Sequence, residues 1–171
     1  MELDLAFSAD PDLAPALQDA AGRWCAPPED AEQAWQLLLN RWLQELRGEL
    51  PPPLQADSYS LGLSLVGDRE IAELNEDWRE KSGPTDVLAF AAQDDQTMPS
   101  GLGFETGLEL GDIVISLETA ARQAPEHGNT LQQELLFLAS HGLLHLLGWD
   151  HPDEQSLQAM LQRQAQLVQQ G

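Results

Sequence analysis

Three of the four histidines of the chain fall within eleven residues of one another, as His141, His145 and His151. The first two are four positions apart, so on a helix their rings project from one face, one turn apart. Gly148 lies where such a helix would end in a left-handed turn, which lets the chain fold back and present His151 to the same point. Three imidazoles leave a fourth position of a zinc ion open to water, as in catalytic sites. The spacing therefore predicts one zinc ion per chain, in a site suited to hydrolysis.

A zinc ion that only stabilises the fold is the alternative. Such sites favour cysteine and four protein ligands, and Cys25 is the single cysteine of the chain, with no sequence feature that places it near the histidines. We expect Cys25 to be a buried or bystander thiol. The fourth histidine, His127, stands in a Pro-Glu-His-Gly-Asn turn, and we expect it to be solvated and outside the site.

The residue after the first histidine indicates whether this site could work as a zinc peptidase. Zinc peptidases with a similar spacing carry a glutamate there as the general base, whereas this chain has Gly142. The peptidase mechanism has therefore lost its base, although zinc alone lowers the pKa of a coordinated water to ~7. Asp150 could assist, and Glu134 could orient a ligand from the same helical face. A structural cap or a surface role stays open for both.

A second motif lies upstream, with Leu-Asn-Glu-Asp-Trp-Arg over residues 74–79 and Gly-Pro-Thr-Asp-Val-Leu-Ala-Phe over residues 83–90. Its Arg79 stands at a predicted helix end, just before a short loop that leads into a strand. The planar guanidinium of Arg79 could bind a substrate phosphate with two hydrogen bonds. A solvated arginine that only complements the helix dipole is the alternative.

Hydrophobic periodicity predicts four strands and five helices around these motifs. The strands are predicted at 3–7, 59–65, 86–91 and 110–116, and the helices at 30–47, 68–78, 117–123, 130–147 and 153–169. We expect Asp68 to cap the second helix, Pro125 to begin a turn, and Thr130 with Gln133 to form a capping box. The polar segment 93–107 is either a lid or a surface insertion.

These elements predict the α/β (α+β) class, with a roughly four-stranded mixed sheet in one domain over residues 1–171. The metal site is then on a helix in the C-terminal half of the chain and on the turn that follows it. No run approaches the ~20 apolar residues of a membrane helix, the N-terminus lacks the features of a secretory signal, and one cysteine suits a reducing compartment. We therefore expect a cytoplasmic protein that binds no membrane.

The net charge is the unusual feature of the composition. Eight basic residues against 29 acidic ones give a formal charge of −21. Such a field repels DNA, RNA and anionic membranes, because their affinity comes largely from phosphate neutralisation. The acidic surface either keeps the protein soluble or docks on a basic protein partner. We expect no DNA binding and only weak binding of naked RNA.

Taken together, these motifs resemble the YbeY family, endoribonucleases that act in ribosomal RNA maturation. Residues 141–151 match the family pattern His-Gly-x-Leu-His-Leu-x-Gly-x-Asp-His at every defined position, and residues 74–90 match Leu-Asn-x-x-aromatic-Arg followed by Pro-Thr-Asp-Val-Leu. Residues 110–113 match Leu-Gly-Asp-Ile, and Glu134 falls where the family has a glutamate. The departures are Ala89, where the family usually has serine, and Ala91, where proline is frequent.

The resemblance implies zinc on His141, His145 and His151, with Arg79 as a catalytic residue near the cleft. It implies a substrate of single-stranded RNA, especially the 3′ end of small-subunit ribosomal RNA, and a role in ribosome quality control. The implied partners are ribosomal RNA, small-subunit proteins and assembly factors. Water or a 2′-hydroxyl remains open as the nucleophile. The alternatives are a zinc hydrolase that acts on a peptide or small molecule, and a ribosome-assembly factor with a structural zinc.

Overall fold

The computed structural model describes residues 2–92, 108–149 and 153–170. Its strands are β1 (Glu2–Ala9), β2 (Ser58–Val66), β3 (Val87–Ala91) and β4 (Leu108–Ser116). They form one sheet in the order β1-β2-β4-β3, in which β1, β2 and β4 are parallel and β3 runs antiparallel to β4. The predicted mixed sheet of four strands is confirmed.

Six α-helices are described, one more than the sequence predicts. They are α1 (Pro15–Ala21), α2 (Pro28–Arg47), α3 (Asp68–Arg79), α4 (Leu117–Glu126), α5 (Leu131–Leu146) and α6 (Glu154–Gln170). Helix α1 is the additional one, and it buries only Ala21. With seven residues and one buried position it carries no apolar stripe that periodicity could detect. Across the described ranges, no helix is both long and apolar enough to span a membrane.

The main core lies on the face of the sheet that α2 and α5 cover. Helix α2 packs on β1 and contributes Trp35 and Trp42, both fully buried, while α5 packs on β3 and β4. The indole nitrogen of Trp42 donates to the carbonyl of Leu167 at 2.9 Å, which ties α6 to α2. Each large apolar side chain buried in this way contributes roughly 1.5–3 kcal/mol of transfer free energy. The opposite face carries a smaller cluster under α3, which includes Ile71 and Leu88.

The prediction that Asp68 caps α3 is wrong. Gly67 occupies the cap position, and Asp68 is the first residue of the helix. Its carboxylate instead accepts hydrogen bonds from Thr119 Oγ1 at 2.6 Å and Ser116 Oγ at 2.7 Å, and pairs with Arg122 at 2.7 Å. Burial alone would raise the pKa of Asp68, but the hydrogen bonds from Thr119, Ser116 and Arg122 outweigh it, so its pKa is lowered. The residue thus joins the start of α3 to α4.

Two further sequence predictions concern the end of α4 and the segment between β3 and β4. Helix α4 continues through Pro125 to Glu126, so the prediction that Pro125 begins the turn is wrong. Proline in a last turn removes one backbone hydrogen bond, and the preceding turns hold the helix. Segment 93–107 lies outside the described residues.

Candidate metal centre

Helix α5 carries the first two histidines, and local sequence fixes where it begins. The predicted capping box is confirmed: Thr130 Oγ1 accepts from the Gln133 backbone at 3.1 Å, and the Thr130 backbone donates to Gln133 Oε1 at 2.8 Å. The helix ends at Leu146, and Gly148 follows with φ +97°, in the region that favours glycine. The predicted turn after the helix is therefore confirmed.

His141 and His145 lie one helical turn apart near the end of α5, with His141 half-buried and His145 exposed. That spacing puts the two rings on one face of the helix, as the sequence predicts. His151 and Asp150 lie outside the described residues. The structure therefore places two of the three predicted ligands, and the third remains a prediction.

Gly142 lies where α5 crosses the sheet. A Cβ atom at this position would lie 2.9 Å from Ile113 Cγ2 and 3.1 Å from Ile113 Cγ1, both on the buried strand β4. Such distances are too short for packed carbon atoms, so the site has no room for the glutamate of the zinc peptidases. The packing supports the sequence argument against a peptidase.

Helix α6 supplies a contact to His141 that the sequence analysis missed. The amide Nε2 of Gln164 lies 2.7 Å from His141 Nδ1, and Gln164 is fully buried. A signal was present, because Gln164 stands one turn after Met160 and one turn before Leu167, both of them buried in the core. A polar residue on that stripe needs a polar partner, but the sequence alone does not show which one.

The described donors fit a zinc ion. Because Gln164 contacts Nδ1 of His141, the ring presents Nε2 to its other side, and His145 presents a second imidazole from the same helical face. Imidazole nitrogen is a favoured zinc ligand. Among the described residues, which leave out His151, no group of three histidine, cysteine, aspartate or glutamate side chains is close enough to hold a metal.

Glu134 and His127 form a pair that the sequence analysis did not predict. Glu134 is fully buried, and its carboxylate contacts His127 Nδ1 at 2.9 Å and accepts from Asn129 Nδ2 at 3.0 Å. The prediction that His127 is only solvated is wrong, because α5 brings this buried carboxylate to the turn. Glu134 stands seven residues before His141, roughly 10 Å along the helix, and its described partners are in the α4–α5 turn.

Cys25 is buried and free, as expected for a bystander thiol. Burial raises the pKa of its thiol. The neutral thiol therefore dominates at neutral pH, and this is the unreactive form.

Arg79 lies in the last turn of α3 and is exposed. All eight lysine and arginine residues belong to the described ranges, and six of them are engaged. They are Arg47, Arg69, Arg122 and Arg163 with carboxylates, Arg23 over the Trp24 ring, and Arg41 with a further partner. Within the described ranges, the side chains of Arg79 and Lys81 form no hydrogen bond or ion pair. These two cations remain available to an outside anion.

The loop after α3 is held by a residue that the sequence analysis did not single out. Asn75 is 4% exposed, and its amide donates to the carbonyl of Gly83 at 3.0 Å. The backbone of Lys81 donates to the carbonyl of Asn75, and Glu80 adopts a left-handed conformation at the end of the helix. Asn75 therefore fixes the path of the chain just after Arg79.

A continuous series of contacts runs from α3 across the sheet edge to α5. The Trp78 ring, 70% exposed, packs edge-on against Phe90 of β3, with ring centroids 6.0 Å apart. Phe90 pairs with Asp112 of β4, and the next residue, Ile113, lies under Gly142 beside His141. The end of α3 and the end of α5 are thus linked through the same pair of strands, although Arg79 forms no hydrogen bond with either described histidine.

A cavity of about 640 Å³ lies at the ends of β1 and β2, next to α3. Its lining includes five carboxylates against one arginine, Arg69: Asp10, Asp12, Glu70, Glu73 and Glu118. Neither Arg79 nor a described histidine lines it. A cavity of this charge repels phosphate, so the histidine face is the better candidate for the site.

Comparisons with known proteins point to one family. The family model described as Endoribonuclease YbeY matches residues 27–171. A protein named Endoribonuclease YbeY from Synechococcus sp. (strain RCC307) is 63% identical over 147 residues, which is 85% of this chain and 89% of the relative. Its namesake from Parasynechococcus marenigrum (strain WH8102) is 50% identical over 181 residues, which covers 100% of this chain and 89% of the relative.

A solved structure shows the same fold. The solution structure of TM1509 from Thermotoga maritima matches with a TM-score of 0.51 at 23% identity, over 96% of this chain and 87% of that one. The sequence matches carry the assignment further than this structure does, because they cover most of the chain at high identity. The chain belongs to the YbeY endoribonuclease family.

Proposed function

We propose that this chain is a zinc-dependent, single-strand-specific endoribonuclease that matures the 3′ end of small-subunit ribosomal RNA and serves ribosome quality control. The proposal treats residues 1–171 as one catalytic domain that works in the cytoplasm with small-subunit proteins and assembly factors. Family membership supports an endoribonuclease. The observation that carries the substrate class is the pair of uncommitted cations, Arg79 and Lys81, in a chain whose other basic residues are engaged.

The ligands of the proposed zinc ion are His141, His145 and His151. When bound, zinc polarises a phosphoryl oxygen and lowers the pKa of a water. The guanidinium of Arg79 binds the phosphate and offsets the charge that develops on its oxygens during attack at phosphorus. Lys81 adds a second positive charge next to it. Helix α5 holds its two imidazoles rigidly because its opposite face is packed on the sheet.

The exposed Trp78 supports a single-stranded substrate. Its ring packs against Phe90, and Arg79 and Lys81 follow it closely in the sequence. Unpaired bases stack on such rings, while bases within a duplex are already stacked on each other. With a net charge of −21, we expect weak, salt-sensitive cleavage of naked RNA, and delivery to ribosomal RNA by basic protein partners.

The direct test compares Arg79→Ala with Arg69→Ala, each loaded with zinc, on single-stranded and duplex RNA of the same sequence. Arg69 is exposed on the same helix, and its guanidinium is 3.8 Å from Glu73. We expect Arg79→Ala to lower kcat/KM by about 10²–10³-fold and Arg69→Ala to leave it nearly unchanged. Zinc content and melting temperature should be equal in both variants. Full RNA cleavage by Arg79→Ala would contradict the proposal.

The same variants separate the other candidate functions. A zinc hydrolase with a neutral peptide or ester substrate would keep its activity in Arg79→Ala, because it has no phosphate to bind. An assembly factor with a structural zinc would restore normal 3′ ends of small-subunit ribosomal RNA in depleted cells even as Arg79→Ala. For an endoribonuclease, we expect extended, unprocessed ends in the depleted cells that carry Arg79→Ala. Chemical analysis of the cleaved ends then identifies the nucleophile, because attack by a 2′-hydroxyl leaves a cyclic phosphate and attack by water does not.

A further inference from the structure

We infer that Gln164 is a positioning residue for the metal centre: its side-chain oxygen accepts a hydrogen bond from Nδ1–H of His141 and so directs Nε2 of that ring to the metal. The inference rests on the proposed zinc site and adds to it a residue from the last helix. The amide group of Gln164 would then decide which ring nitrogen of His141 carries the proton.

The contact between the two side chains is short and buried. Gln164 is fully buried, and its amide group lies 2.7 Å from Nδ1 of His141. The amide oxygen, Oε1, is also buried, and within the described part of the chain it has no hydrogen-bond partner. A buried acceptor without a donor costs roughly 1–3 kcal/mol, but rotation of the amide would place its NH₂ group at that same position, so the atom that faces His141 decides between the two orientations.

Rotation of the terminal amide by 180° exchanges its oxygen and nitrogen without moving any other group. Oε1 then faces Nδ1 of His141 and accepts a hydrogen bond from Nδ1–H. A neutral imidazole carries one proton, so a proton on Nδ1 leaves the lone pair on Nε2. Metal-bound histidines generally donate a hydrogen bond from the N–H of their second ring nitrogen to an oxygen acceptor in this way. The rotated amide of Gln164 therefore suits a metal-binding His141 better than the other orientation.

Helix α6 holds Gln164 in place on both sides of the contact. One residue earlier, Arg163 pairs with Glu45 of α2 at 3.4 Å and with Glu49, which lies two residues after the end of α2. Three residues later, the carbonyl of Leu167 accepts from the Trp42 indole at 2.9 Å. These contacts hold α6 against α2, so the position of Gln164 relative to His141 is fixed.

The test is zinc affinity, measured by competition with a chromogenic chelator on the full chain. Gln164→Leu keeps the approximate size of the side chain and removes the acceptor, and we expect a 10–100-fold loss of zinc affinity. Gln164→Glu restores an oxygen acceptor, and we expect affinity within about threefold of the wild type or tighter. The matched control is Gln162→Leu, at an exposed position of the same helix, which should bind zinc like the wild type.

Imidazole ¹⁵N spectra of the zinc-loaded protein give a second readout that is independent of cleavage. We expect His141 to show a metal-bound Nε2 and a protonated, slowly exchanging Nδ1, with that proton exchanging rapidly in Gln164→Leu. Ligation through Nδ1, or wild-type affinity in Gln164→Leu, would overturn the inference and leave the proposed zinc site intact. If Gln164→Glu failed to restore affinity, the acceptor role would be wrong. A wild-type chain that binds no zinc would instead reject the proposed function itself.

Discussion

The ends of two helices, α5 and α3, hold two of the proposed metal ligands and the proposed phosphate-binding group, and they are built in opposite ways. The end of α5 is packed: Gly142 touches the sheet, and Gln164 contacts His141 from α6. The end of α3 is open, since Trp78 is 70% exposed and the side chain of Arg79 has no ion pair within the described ranges. Geometry is fixed at the proposed metal ligands, and the positive charge has no partner among the described residues at the proposed phosphate-binding group.

This difference predicts that substitutions at the two sites affect different quantities. Changes at the packed end of α5 should alter metal affinity or the free energy of unfolding. Changes at the open end of α3 should alter RNA binding and cleavage, while stability stays the same. Substitutions of exposed side chains change the free energy of unfolding little. In a tightly packed region, by contrast, even a small change in side-chain volume disturbs the neighbouring residues.

The largest effect is expected at the histidines. His145→Ala should lower zinc affinity by about a thousandfold or more, because each ligand contributes a large share of the binding free energy, which is roughly 10–16 kcal/mol in structural zinc sites. The zinc-free variant should melt near the wild type, since His145 is exposed. His127→Ala is the control and should keep its zinc by chelator competition. Retained zinc in His145→Ala would exclude His145 as a metal ligand.

The next effect tests the packing of α5 on the sheet. Gly142→Ala should lower the free energy of unfolding by about 1–3 kcal/mol, because its Cβ meets Ile113 at 2.9 Å. Gly48→Ala is the matched control, with φ −66° and nothing within 4 Å of an added Cβ. Urea unfolding measures both. A Gly142→Ala protein as stable as the wild type would show that α5 is less tightly packed than the contact indicates.

A smaller effect is expected at the open end of α3. Trp78→Ala should weaken binding of a short single-stranded RNA about tenfold, toward the lower end of the 1–3 kcal/mol that base stacking contributes. Its free energy of unfolding should not change. Leu37→Ala, which removes another large exposed side chain (63% exposed) on α2, should bind RNA normally. Fluorescence anisotropy on labelled RNA measures both, and equal loss in the two variants would contradict a stacking role.

The smallest effect concerns the fixed start of α3. Asp68→Asn should cost about 1 kcal/mol of stability at pH 7. Because the pKa of Asp68 is lowered by folding, its stabilisation is present above the unfolded pKa near 3.9 and is lost as pH falls through the folded pKa. The two proteins should therefore become equally stable in acid. Asp77→Asn, exposed on the same helix, is the control and should leave the free energy of unfolding at pH 7 nearly unchanged in urea.

Much of the fold could be predicted because its signals are local. The capping box at Thr130, the left-handed Gly148 and the alternation of β2 are set by residues within a few positions of each other, and all three are confirmed. Helix α1 was missed because seven residues with one buried position show no period. Asp68 was misassigned because its partners, Ser116 and Thr119, are about 50 residues away and only the fold brings them near.

The residue types and their spacing are enough to predict the proposed metal-binding chemistry: two histidines one turn apart, a third after a glycine turn, and no glutamate at position 142. The surroundings of these residues emerge only from the folded chain. Gln164 reaches His141 across 23 residues, and His127 meets a buried Glu134. Local spacing fixes which side chains share a helical face, because the helix is periodic. Contacts between helices depend on how each buries its apolar surface, so no local pattern could show that the last helix contacts the first histidine.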